Sequence, residues 1–562
     1  SAVYAGKLEN SFAAAQKAYQ ENRLDEAAEG FGEVAAMLVR NKQIPQARLV
    51  LGNVATIRIR QEKYREALDT YAQALKLPGK VAADFQQKAW GNMAVCHHHL
   101  GEFALKADYL ERLIKLSTDK AKLADWYAQL GDAYKALELY SRAVPAYAKA
   151  AELLPQDGDR EMRRRILTAW GLCAGNLGDF VQAEKLLAEV ISSGGEPLTR
   201  AESSSNLGIL KWEQGYYPEA ADLLLQSLDI EKEAMLRRNE GVDSNNYGLV
   251  LKSAGRHEEA KKYFSWSIAI AREVGNVRDE AIALSNMALV ARITGDHASA
   301  RRDYVAALEL YEKDGFREGR ANTLLGLGKI YEVADNDYAR ALNCYRQANA
   351  IYEELEMPRG IAESLNQMGR CLRKAATPKR AARDLVFDDE EITLPSLEPA
   401  MARRESVEAY TRALSIAKGL GMRELIWSAH QGLGFALREE GKNAEALAEY
   451  EKAIALVTSM RGSQSDVELL GEYMKDKGEL FTEAMELCVA QYKETGEQSY
   501  MVRAMELDEI YRNEIIKANT QLVRMDYAEP EKQKLYQDIL SLAARRDKVA
   551  SHTPALPEKP NG

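Results

Sequence analysis

An alanine returns at Ala27, Ala67, Ala143, Ala183, Ala220, Ala260, Ala300, Ala341 and Ala446, and Lys106 and Ser406 hold the same register. Neighbouring members of this series are 37 to 41 residues apart, except for one gap of 65. A chain of 562 residues is too long for one hydrophobic core. A fixed period of this size instead calls for stacked supersecondary units, each too small to bury its own apolar faces. With the alanine as position 20 of each unit, position 8 is Gly131, Gly171, Gly208, Gly248, Gly328, Gly369 or Gly434, and Ala55, Ala94 or Ala288 elsewhere. Position 24 is aromatic in most units: Phe31, Tyr71, Tyr147, Phe264, Tyr304, Tyr345, Tyr410 and Tyr450.

The chemistry of these positions predicts a pair of helices per unit. Small residues at 8 and 20 let the two helices approach closely. The aromatic at 24 fills the space toward the next unit, and burying it is worth about 1.5–3 kcal/mol. Between the helices stand Gly101, Gly178, Gly215, Gly255, Gly295 and Gly441, placed to end the first helix in a left-handed conformation. Only 14 prolines occur, and Ala, Leu, Glu and Lys, all good helix formers, abound. Lys106 in place of alanine predicts a looser or shifted third unit, and the ninth unit carries one extra residue between Gly328 and Ala341.

The clearest copy reads Leu130-Gly131-Asp132-Ala133-Tyr134, followed by Ala143, Tyr147, Ala150 and Pro155. It resembles the tetratricopeptide repeat at nearly every diagnostic position. The period of about 40 exceeds the usual ~34 and is similar to the long-helix arrays of kinesin light chains, Leu-Gly-Asn polarity adaptors and bacterial proteins bearing a CHAT (caspase-like) protease domain. The resemblance implies an all-α, right-handed superhelical solenoid of about eleven to twelve helix-turn-helix units with further C-terminal helices. The stretch from 445 to 545 is similar to the segment that joins such arrays to a CHAT domain.

The expected organisation is a repeat array over 1–375, an insertion over 376–402, units ten and eleven over 403–460, a helical region with degenerate repeats over 461–548, and a Pro-rich tail over 549–562. The insertion contains Asp388-Asp389-Glu390-Glu391 with Pro378, Pro395 and Pro399, which reads as an exposed acidic loop. Ser465-Asp466 is placed as a helix N-cap, Gly496 as a turn, and 529–548 as a last helix.

Lys and Arg number 75 against 85 Asp and Glu, a net charge of -10. An acidic chain without a basic stripe argues against nucleic acid and against docking on anionic lipid. No apolar run reaches the length of a membrane span. Five widely spaced cysteines without a CxxC pair point to a reducing compartment and a cytoplasmic location. The Ser1 start leaves a periplasmic or secreted product of signal cleavage as the alternative. His97-His98-His99 cannot all face one ion, because consecutive helical side chains diverge by about 100°. Cys96, Cys173 and Cys371 fall at position 10 and read as small core residues. No phosphate loop, nucleophile elbow or catalytic triad appears, so neither enzyme activity nor a cofactor is expected.

A binding surface is expected instead. Position 6 reads Asn53, Asn92, Gln129, Asn206, Asn246, Asn286 and Gln367, although Asn is a mediocre helix former. A carboxamide both donates and accepts, so a row of them suits the backbone of an extended peptide. This resembles the asparagine ladder of the kinesin-light-chain and polarity-adaptor arrays. The alternative is that these amides bond neighbouring helices. Asn245 at position 5, Lys329 and Arg370 at position 9, and Arg292 at position 12 add polar and cationic neighbours suited to an acidic or carboxylate-bearing segment. The Lys-Asn pairing of chaperone-tail clamps is missing. The leading function is therefore a non-catalytic scaffold for a protein or extended peptide. The alternatives are the sensing half of a CHAT protease system, with a protease domain as partner, and a homo-oligomeric scaffold stacked through terminal helices.

Overall fold

A computed structural model describes residues 2–154, 159–376, 398–459 and 467–523. Among them lie 24 helices and no strand. The first pairs are α1 (Ala2–Gln20) with α2 (Leu24–Arg40), α3 (Ile44–Arg60) with α4 (Tyr64–Lys76), α5 (Ala83–His99) with α6 (Phe103–Leu116), α7 (Lys120–Ala136) with α8 (Tyr140–Leu153), and α9 (Arg160–Asn176) with α10 (Phe180–Ser193). Next come α11 (Pro197–Glu213) and α12 (Tyr217–Glu233). Then follow α13 (Arg237–Ser253) with α14 (His257–Val274), α15 (Val277–Ile293) with α16 (His297–Asp314), and α17 (Arg317–Val333) with α18 (Tyr338–Glu354). The last are α19 (Pro358–Ala376) with α20 (Pro399–Leu420), α21 (Arg423–Glu439) with α22 (Asn443–Ser459), and α23 (Val467–Thr495) with α24 (Gln498–Val523). Among the second helices, nine carry the periodic alanine, α6 and α20 carry Lys106 and Ser406 in its place, and α23 and α24 follow. The chain divides into two compact units, residues 1–214 with 229–234, and residues 215–228 with 235–562.

Within each unit the core is the stack of helix-pair interiors. Every periodic alanine is fully buried. The position-24 aromatics are buried as well, but they do not simply point at the next pair. A Cβ on Gly131 would sit 2.6 Å from Tyr147, one on Gly248 2.6 Å from Phe264, and one on Gly328 2.5 Å from Tyr345. Each ring therefore packs against the position-8 glycine of its own pair. Some rings do both jobs: Tyr304 also reaches Gly326 on the next pair, and Tyr410 lies between Gly369 and Gly432.

The left-handed turns fall where the pattern puts them, with φ of 72° to 82° at Gly101, Gly178, Gly215, Gly255, Gly295 and Gly441. In the pairs without that glycine, Asn22, Glu62, Glu138 and Asn336 adopt the same conformation at φ of 54° to 60°. The extra residue of the ninth unit is absorbed here, since Ala334 and Asp335 precede Asn336 and the Asp337 amide reaches back to the Tyr331 carbonyl at 2.8 Å. Asparagine tolerates this region, whereas glutamate has no local compensation. Glu62→Gly and Glu138→Gly are each expected to stabilise the fold by roughly 0.5–1 kcal/mol, the left-handed penalty relieved less the entropy glycine adds to the unfolded chain. Urea titration would show the midpoint rising; an unchanged or lower midpoint would count against the strain.

Lys106 leaves α6 unbroken, and its side chain is buried, so that desolvation depresses its pKa against the pull of Asp132 and Asp125. The segment 376–402 is not loop throughout, because Ala376 ends α19 and residues 399–402 already belong to α20. Proline at the first position of α20 costs nothing there, where its missing N–H has no helical partner. Gly496 makes its turn at φ 75° between α23 and α24. The acidic run 388–391, Pro378, Pro395, the cap at 465–466, the helix over 529–548 and the tail over 549–562 lie outside the described residues.

Laterally, first helices of successive pairs are joined by hydroxyl pairs. Thr168 and Ser203 stand 2.7 Å apart, and Ser285 and Thr323 2.9 Å apart. Each hydroxyl also lies within hydrogen-bond reach of the carbonyl four residues back in its own helix; with one proton apiece, one member of a pair donates to its carbonyl and the other donates across to its partner.

Candidate functional site

The second compact unit contains a recess of about 500 Å³ walled by α15, α16, α17, α19 and the start of α21. Four residues singled out by the repeat register line it: Asn286, Arg292, Lys329 and Gln367. They come from three successive first helices. Each projects from the same face of its helix because positions 6, 9 and 12 are spaced by three residues, close to one turn.

The amide row is interrupted at the recess. Position 6 of the ninth unit is Gly326 rather than an amide, and a Cβ there would lie 2.5 Å from the ring of Tyr304 and 2.6 Å from its hydroxyl oxygen. Tyr304 needs that glycine in order to reach across from α16. Beside the break, the Nδ2 of Asn286 donates to the Oδ1 of Asn245 at 2.8 Å, fixing the Asn286 carboxamide. The Nε of Arg292 and the Oε1 of Gln367 are buried without a hydrogen-bond partner. A buried donor and a buried acceptor left unpaired cost about 1–3 kcal/mol each.

One end of the recess is apolar and aromatic. Ile282, Tyr311 and Phe316 form it, with the Tyr311 and Phe316 rings 5.8 Å apart. Burial pushes the Tyr311 hydroxyl up to about 12, against a hydrogen bond with Ser285. On the wall, Asn322 accepts at 2.6 Å from the Tyr352 hydroxyl. The acidic residue lining the recess, Glu363, accepts from Arg359 at 3.0 Å.

The other proposed contacts lie elsewhere. Asn53 is exposed on α3 and Asn206 half-buried on α11. Asn92 donates to the Tyr71 hydroxyl oxygen at 2.5 Å, and Gln129 to Asp125 at 2.8 Å. Asn246 donates to Asp243 at 3.3 Å. Arg370 turns to Glu332 at 2.9 Å, together with Lys374 at 3.0 Å. Several amides thus bond within the protein.

Sequence reasoning missed Glu332, whose side chain is fully buried and accepts the Tyr345 hydroxyl at 2.9 Å. Burial opposes its charge, yet Arg370 and Lys374 outweigh that and hold the carboxyl below its usual range. The signal was present: Glu332 occupies position 12, which is Lys135, Lys252, Arg292, Arg373 or Arg438 in other units.

The histidine triplet spreads its rings. His97 bonds Glu102 at 2.6 Å and stacks on Tyr109, His98 meets Phe103 edge-on, and His99 stacks on Tyr64. Cys96, Cys173 and Cys371 are fully buried, and burial pushes their thiols up to about 11, 11 and 12.

Tetratricopeptide repeat models match residues 199–273, 242–313 and 279–354, and further ones match 55–121 and 124–157. The chain is a tetratricopeptide-repeat protein. Its repeats coincide with the helix pairs described above. Among solved structures, the repeat chain is similar to BtubC from P. vanneervenii at 17% identity, covering 49% of this chain and 100% of that one with a TM-score of 0.32. It is similar to the apo quorum sensor NprR from B. thuringiensis at 14% identity, covering 62% and 99% with a TM-score of 0.46. A Rap protein complexed with competence and sporulation factor is 13% identical over 66% of this chain and 97% of its own, with a TM-score of 0.43. No curated protein matches the sequence. No helix among the described residues is long and apolar enough to cross a membrane.

Proposed function

We propose that this repeat protein is a non-catalytic scaffold that holds an extended peptide or protein segment, and that the recess between α15 and α19 is a principal contact. The observation carrying this reading is the convergence of Asn286, Arg292 and Gln367 on one cavity, two of them with buried polar atoms that lack a partner. A guest backbone supplies both complements, a carbonyl for the guanidinium and an N–H for the amide oxygen. Relieving such unpaired groups turns their desolvation cost into binding selectivity.

A displayed library of random peptides, selected on the purified chain, tests this. Selected peptides are expected to bind Asn286→Ala/Gln367→Ala at least tenfold more weakly, about 1.4 kcal/mol, with an unchanged thermal melt. Equal affinity for both proteins would remove the recess from the binding surface.

A further inference from the structure

In the first compact unit, the turns between the two helices of each pair line one edge of the stack. Positions 14, 16, 18 and 19 of the repeat face outward there, just after the first helix and in the first turn of the second. In the first two pairs they carry charges that meet across neighbouring pairs: Lys63 reaches Asp25 at 2.8 Å, and Arg65 reaches Glu102 at 2.5 Å. From the third pair to the fifth, leucine or valine holds half of these positions. Leu105, Leu139, Leu177 and Val181 are exposed, Val181 by 83% and Leu177 by 50%, with Phe180 beside them. One core cluster runs beneath all three pairs, through Ala107, Ala143 and Leu186, so the three turns are neighbours.

Leu139 stands where it weakens its own helix. It is the N-cap of α8 and makes no side-chain cap bond. Asp179, at the same position of the next pair, caps α10 by accepting from the Gln182 amide at 3.2 Å. Leucine is among the poorest caps, so α8 lacks a cap at the point where an apolar side chain is shown to the outside. The rim is acidic. Glu138 and Asp179 lie between the apolar residues, and neither forms an ion pair among the described residues. The nearby cation, Arg142, is held by Glu111 at 2.9 Å and lies over the Tyr134 ring.

We infer that this edge docks an amphipathic helix of a partner protein, with an apolar residue at every seventh position and Lys or Arg beside that stripe. An exposed apolar row with a polar rim is the usual mark of an association surface. Packed helices lie about 8–10 Å apart, and first helices of successive pairs touch in this way, as Thr168 and Ser203 show. Seven residues of helix rise about 10.5 Å, so one apolar row meets the three turns in succession. Lys or Arg next to the row reach Glu138 and Asp179. A second copy of this chain would instead bring these carboxylates against their own counterparts. The edge lies in the first compact unit and the recess in the second, so this inference goes beyond the peptide-binding reading.

Three fluorescein-labelled, alanine-based helical peptides of three heptads test this by anisotropy on the full chain. One carries Leu at every seventh position with Lys beside it, the second Ala for Leu, and the third Glu for Lys. The Leu/Lys peptide is expected to bind at least tenfold tighter than either of the others. Leu139→Ser/Val181→Ser should bind it at least tenfold more weakly without a lower urea midpoint, because serine caps α8. Val181→Ser alone, at an almost wholly exposed residue, should still weaken binding at least threefold. Glu138→Lys should narrow the Lys-over-Glu ratio at least threefold. Asn286→Ala/Gln367→Ala should bind unchanged; weaker binding there would place the peptide in the recess and overturn the inference. Equal binding of the Leu and Ala peptides, or no effect of Leu139→Ser/Val181→Ser, also overturns it. So does sedimentation that shows a dimer dissolved by those two substitutions, since the edge would then belong to a second copy.

Discussion

Glu332→Ala is expected to lower the stability of the second compact unit by about 3 kcal/mol, with Glu332→Gln costing less. The carboxylate has no exposed side-chain surface and collects three donors, from Arg370, Lys374 and Tyr345. Removing it leaves two cations one turn apart on α19 without their counter-charge from α17, and a buried hydroxyl without an acceptor. Arg370 and Lys374 are each 36% exposed, so they rehydrate in part, and the loss falls at the lower end of the range for broken buried pairs. The pH dependence has a definite sign. Glu332 has a depressed pKa in the folded chain, so its contribution is complete above the ordinary carboxylate value and disappears as pH falls through the lower folded value. Differential melting of wild type and Glu332→Gln between pH 7 and pH 3 should show their gap closing on the acid side. A gap that stays constant would mean the carboxylate is not ionised in the fold.

Gly432→Ala is expected to cost about 1–3 kcal/mol, toward the upper end. The added Cβ would lie 2.2 Å from Tyr410, which is buried and pressed from its other side by Gly369, where a Cβ would be 3.0 Å away. A ring held between two helices has nowhere to go, and the cost is overpacking that the helices must share. Gly419 is the control: it lies within α20 with nothing within 4 Å of a Cβ. Gly419→Ala should stabilise by up to about 1 kcal/mol through helix propensity. Chemical denaturation of both variants decides the matter. Equal effects would show that the tyrosine has room to move.

Much of this architecture was legible because the repeat writes the same physical requirement many times. Ala143, Gly131 and Tyr147 each answer a distance between two helices, and such distances recur wherever the pair recurs. The left-handed turn was equally readable where glycine marks it, but not at Glu62 or Glu138, where the chain accepts strain that no residue type announces. The site was read in part. Asn286, Arg292, Lys329 and Gln367 were found because a register places them on one helix face. Their convergence depends on Gly326 and Tyr304, a break in the row that only coordinates join to a cavity. Arg370 looked like its neighbours in sequence, and it was the departure at Glu332, thirty-eight residues away, that drew it inward. Pairings between units escape a reading made one unit at a time.

The hydroxyl pairs between first helices carry a mechanical implication. Thr168 with Ser203 and Ser285 with Thr323 pin one coil to the next at a single point beside the core. Such a pin resists sliding far more than it resists rotation about itself. Under load these seams would behave as pivots: adjacent coils could swivel by small angles, while slippage along their length would first require the bond to break.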